Sequence, residues 1–102
     1  MIDNNLLEEI VTRLQNVQPI KMYLFGSQAM GTADNESDID LLLVKRAVSS
    51  KIKEINDARK LLRGLGKSFD IIVASQEEFY FYRNQVNSVH HAASNYGRVI
   101  YG

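Results

Sequence analysis

The chain has 102 residues, 45% of them apolar, and its 12 basic and 12 acidic side chains balance to zero net charge. That length holds one small domain, residues 1–102, and the neutral balance does not indicate a strongly basic face, so no direct nucleic-acid binding is expected. There is no cysteine, which rules out disulfides and thiolate metal sites. No apolar run nears the ~20 residues of a membrane span, and Met-Ile-Asp-Asn-Asn is not a signal peptide, so no membrane association and a cytoplasmic location are expected. A chain of this size hides about two-thirds of its unfolded surface. Little material is left for a separate acceptor-binding domain, and a partner is therefore expected.

Residues 3 to 17 predict a helix, because Leu6, Leu7, Ile10, Leu14 and Val17 recur at three- and four-residue steps. Pro19 stops it. Residues 21 to 25 read as a strand. Gly26-Ser27 turns the chain, a short helix reaches about Met30, and residues 31 to 36 form a polar loop. Ile39 to Lys45 is a second strand, whose unbroken apolar run implies burial on both faces. Ser49 or Ser50 caps a helix over about 51 to 63, with Ile52, Ile55, Ala58, Leu61 and Leu62 inward and Gly64 as its stop. Phe69 to Ala74 is a third strand. Ser75 and Glu78 have the spacing of a capping box, opening a helical segment to about Asn95 with room for one break. Gly97 ends it, and residues 98 to 101 make an edge strand.

Strand one ends at Gly26 and strand two starts at Asp38. If they pair antiparallel, both ends share one sheet edge. A helix joins strands two and three, the usual link between parallel strands, so Asp70 starts at that edge as well. Residues two apart on a strand project to one face, and Asp38 and Asp40 point together. Carboxylates held this close repel. A magnesium ion relieves that repulsion, because it takes oxygen ligands from one or two carboxylates plus substrate phosphates. Two ions about 4 Å apart clamp the attacking and leaving oxygens of an in-line displacement. The Gly26-Ser27 turn supplies close backbone approach and donors for phosphate.

These residues resemble the nucleotidyltransferase superfamily that includes DNA polymerase beta, most of all its minimal nucleotidyltransferase branch. The resemblance rests on Gly26-Ser27 with Gly31, on Ser37-Asp38-Ile39-Asp40-Leu41 and on Asp70-Ile71-Ile72-Val73. The opening of the last helix and the closing Gly97-Arg98-Val99-Ile100-Tyr101 are also similar, so it covers nearly the whole chain. It implies an α/β (α+β) domain with a small mixed sheet flanked by helices. Gly26 and Ser27 would hold the triphosphate, Asp38 and Asp40 would bind two magnesium ions, and Asp70 would bind the catalytic ion and help deprotonate the attacking hydroxyl. The implied reaction moves AMP from ATP to an acceptor. The branch commonly works with an all-helical HEPN partner, an RNase toxin that the nucleotidyltransferase, as antitoxin, inactivates by adenylylating a tyrosine. Two other readings stand beside this one: an antitoxin that neutralises by binding alone, and a subunit that modifies a small molecule with a helical partner. The family usually carries an arginine just before the second glycine, where this chain has Met30. Methionine cannot pair with phosphate, and Lys21 or Lys45 are the cations considered as substitutes.

Three other features have plainer readings. His90 and His91 are adjacent on a helix and point about 100° apart, which suits structural or surface roles better than a shared ion. Arg83 and His90 match the loose HEPN RNase spacing, but that motif belongs on a helical bundle. In the run Phe79-Tyr80-Phe81-Tyr82, the stripe of Phe79, Tyr82, Val86, Val89 and Ala93 is expected in the core. Tyr80 and Phe81 fall off it, either as exposed interface anchors or in a helix buried on two sides. The charges from Lys51 to Lys67 interleave with Glu54 and Asp57 and read as a solvated helix face.

Overall fold

A computed structural model describes residues 3–26, 38–85 and 88–102. Helix α1 spans Asn4–Leu14, with Asp3 as its cap; the Asp3 carboxylate accepts a hydrogen bond from the Asn5 amide at 2.6 Å. Its stripe of Leu7, Ile10 and Leu14 is buried, as the periodicity requires. A 3₁₀ turn over Gln15–Val17 follows, and Gln18 reverses the chain in a left-handed conformation. Strands β1 (Lys21–Phe25) and β2 (Ile39–Lys45) pair antiparallel, with Leu24 opposite Leu41 and Phe25 opposite Asp40. Helix α2 (Lys51–Leu61) starts at Ser50, whose hydroxyl accepts from the Lys53 amide. Strand β3 (Phe69–Ser75) runs parallel to β2. Helix α3 (Gln76–Tyr82) is capped by Ser75, and helix α4 (Val89–Tyr96) by Ser88, whose hydroxyl accepts from the His91 amide at 3.0 Å. Strand β4 (Arg98–Tyr101) closes antiparallel on β1, giving the sheet order β3-β2-β1-β4.

The sheet is mixed and carries helices on both faces. On one, Met22, Leu24, Ile39, Leu41, Leu43, Ile71 and Val73 pack against Leu7, Ile10 and Leu14 of α1 and Ala58 and Leu62 at α2. On the other, Tyr23, Leu42, Val44 and Ala74 meet Phe79 of α3 and Ala93 of α4. The Tyr23 and Phe79 rings stack at 5.2 Å. Strand β2 is thus buried from both sides, which its uninterrupted leucines require. Each such side chain contributes about 1.5–3 kcal/mol through removal from water. Arg13 ties α1 to α2. Its guanidinium donates to the carbonyls of Leu61 (3.2 Å) and Arg63 (2.8 Å), filling acceptors that a helix C-terminus leaves open.

Three sequence expectations are corrected and one open alternative is decided. Ile52 is 76% exposed rather than inward, because it lies about 120° round α2 from Ala58, the residue at the centre of the buried face. Tyr82 is 41% exposed, because α3 ends there and only Phe79 from its single short face reaches the core. Tyr80 and Phe81 are also exposed, which settles the open alternative against a helix buried on two sides. Lys21 and Lys45 lie at the edge of the sheet opposite Gly26 and the β2 start: Lys21 pairs with Val44, and Lys45 forms a largely buried ion pair with Glu54. Neither replaces the arginine missing at position 30.

Candidate active site

The sheet topology brings the three acids to one edge. β1 ends where β2 begins, and β2 and β3 start together. Asp40 is the register partner of both Phe25 on β1 and Asp70 on β3. Register partners on neighbouring strands lie about 4.8 Å apart and project to the same face. Asp38 precedes β2 by one residue and is exposed, as is Asp70, while Asp40 is half-buried.

Gly26 forms the floor of this group. Its φ is +71°, a left-handed conformation that side chains disfavour. A Cβ there would come within 2.2 Å of Asp40 Oδ2. The residue after Phe25 must therefore be glycine twice over, once for the turn and once to seat the carboxylate. Ser27, Met30, Gly31 and Ser37, with the expected short helix, lie outside the described residues.

The electrostatics match the crowding. The Asp40 carboxyl is held above its ordinary value of 3.8, first by burial and then by the neighbouring charges of Asp70 and Asp38. Among the described residues, no three ligating side chains are gathered tightly enough to enclose an ion by themselves. An open set of hard oxygen donors carrying uncompensated repulsion still fits magnesium, whose shell is ordinarily completed by substrate phosphates and water. Arg98 starts β4 beside the end of β1, but as the register partner of Leu24 it shares the sheet face that α1 covers, opposite Asp40 and Asp70, and it does not join the site.

The polymerase beta nucleotidyltransferase family model matches residues 8–101. The chain belongs to this family. It is similar to a solved toxin-antitoxin with AMP-PNP, at 24% identity and a TM-score of 0.69, over 94% of this chain and 73% of that one. It is also similar to the toxin-antitoxin MntA-HepT, at 20% identity and 0.64, over 98% and 73%. A candidate nucleotidyltransferase from Sulfolobus solfataricus matches at 28% identity and 0.58, over 72% and 68%. No curated protein matches. This nucleotidyltransferase has no described helix long and apolar enough to cross a membrane.

Proposed function

We propose that the chain is a single-domain, magnesium-dependent nucleotidyltransferase that transfers AMP from ATP to a partner protein, the helical HEPN-type toxin of a toxin-antitoxin pair. The observation that carries this is the register of Asp40 with Asp70 above the glycine floor at position 26. The fold shared with toxin-antitoxin structures supports the choice of partner.

In this reading Asp38 and Asp40 hold two magnesium ions, and Asp70 completes the set at the ion beside the attacking hydroxyl. Gly26 and Ser27 present backbone and hydroxyl donors to the triphosphate. When bound, the metal neutralises phosphate charge and polarises the transferred phosphoryl group. Asp70, exposed near the start of its strand, would accept the hydroxyl proton. The attacking oxygen then bonds to the α-phosphorus as the bond to pyrophosphate breaks.

A second reading has its own support. Met30 stands where the family usually has arginine, and Lys21 and Lys45 lie at the far edge. An antitoxin that neutralises by contact alone accommodates both facts. Incubation with labelled ATP, magnesium and the copurifying protein separates the two. Label on the partner that vanishes with Asp38→Asn or Asp40→Asn supports transfer. Neutralisation that survives both substitutions, without any label, supports binding alone.

A further inference from the structure

The charged stretch at α2 is not uniform. In its first half Lys51 pairs with Glu78, Lys53 with Asp57, and Glu54 with Lys45. Arg59 near the end of α2, and Arg63 and Lys67 beyond it, have no carboxylate partner among the described residues. The three line one open concavity of about 500 Å³, together with Gly64, Gly66 and Phe69. Cations near a helix C-terminus usually serve the helix. Here that work is already done, because Arg13 from α1 occupies the Leu61 and Arg63 carbonyls.

We infer that this concavity is a phosphate-binding site, separate from the Gly26 turn, for a ligand of nucleotide size. Two guanidinium forks and an ammonium group offer three unbalanced positive charges. A phosphate dianion matches that charge and the planar Arg geometry better than a single carboxylate does. Gly64 and Gly66 leave open space where side chains would stand, so their backbone can approach the anion closely. The site lies at the same sheet edge as the three acids, on the opposite face: Phe69 packs toward α1 and α2, and Asp70 follows it directly. The phosphate comes from a free nucleotide or from the end of an RNA strand.

The inference does not rest on transfer activity, and its test contains no metal. Inorganic phosphate, AMP and a 5′-phosphorylated tetranucleotide are titrated in EDTA into the ¹⁵N-labelled chain. Saturable amide shifts at Gly64, Gly66, Lys67 and Ser68 are expected with phosphate and AMP. Combining Arg59→Gln with Arg63→Gln is expected to weaken them at least about tenfold, by the loss of charge-assisted hydrogen bonds, and Asp40→Asn to leave them unchanged. Lys67→Gln, in the loop, gives a smaller loss without touching a helix. Equal binding of AMP and tetranucleotide assigns the site to free nucleotides. Tighter, more salt-sensitive tetranucleotide binding assigns it to RNA ends. Shifts confined to Gly26 and Asp40, an unchanged affinity in the variants, or equal binding of polyglutamate would overturn the inference.

Discussion

Gly26 and Asp40 compete for one volume: any side chain at position 26 displaces the Asp40 carboxylate. Gly26→Ala therefore combines two costs. The left-handed backbone costs about 1–2 kcal/mol, and the displaced carboxylate lowers transfer by roughly 100-fold, the usual scale for a misplaced reacting group. Urea unfolding and a transfer assay read the two separately. Adding Asp40→Ala should remove the steric part of the stability cost. Strictly additive costs would show that the two residues do not touch.

The shift at Asp40 fixes the sign of its pH dependence. A carboxyl whose pKa is raised by folding holds its proton more tightly in the native state, so its ionisation destabilises the fold. The penalty is absent below 3.8 and grows as pH rises through the folded value. Asp40→Asn should melt above the parent at pH 7, with the gap closing toward pH 4. Millimolar magnesium should raise the melting point of the parent and leave Asp40→Asn unmoved. A parent that melts higher at pH 7 would show that the carboxylate is compensated instead.

His90 packs between Phe79 at 6.3 Å and Tyr82 at 5.5 Å. Its buried Nε2 has no hydrogen-bond partner among the described residues. Burial holds its pKa below 6.5, with Lys51 adding to the effect and Glu78 opposing it. The unfolded chain takes up this proton first, so stability is lost as pH falls below 6.5. His90→Phe should flatten the melting curve between pH 6.5 and 5 and be neutral or better at pH 7, because a partnerless polar atom is removed. An unchanged slope would assign the pH dependence to another group.

Gly97 lies where α4 passes into β4. A Cβ there would sit 2.4 Å from the Ala93 carbonyl and 2.9 Å from that of Leu24. Both obstacles are backbone and neither can swing aside. Gly97→Ala should cost about 1–3 kcal/mol, the scale of overpacking, seen as a lower urea midpoint at unchanged slope. Ala at the open Gly64 should cost less, with only its φ of +87° opposing the change.

Much of this layout was legible in the residues. The leucine run of β2 announces a strand buried twice, and the acids two apart announce a shared face. The helical link to Phe69 makes β2 and β3 parallel, which brings Asp70 to the edge where Asp38 and Asp40 lie; its register with Asp40 appears only in the structure. Ser50 and Ser75 marked helix starts through their hydroxyls. What failed depended on which arc of a helix the core takes. Ile52 borders the stripe by period but lies about 120° from its centre at Ala58, and Tyr82 is the last residue of its helix. Lys21 and Lys45 are close in sequence to the site motifs, yet a strand carries its two ends to opposite edges. The unpaired state of Arg59 and Arg63 was hidden because interleaved charges along a sequence do not reveal which of them meet.

Strand β4 flanks β1 beside the glycine turn, with Arg98 opposite Leu24. Such distant pairing forms slowly, since a long loop must close first. A nascent chain would thus display its acidic motif while one side of β1 was still bare. Competence at this edge arrives last, when Gly97 and the four residues after it have left the ribosome.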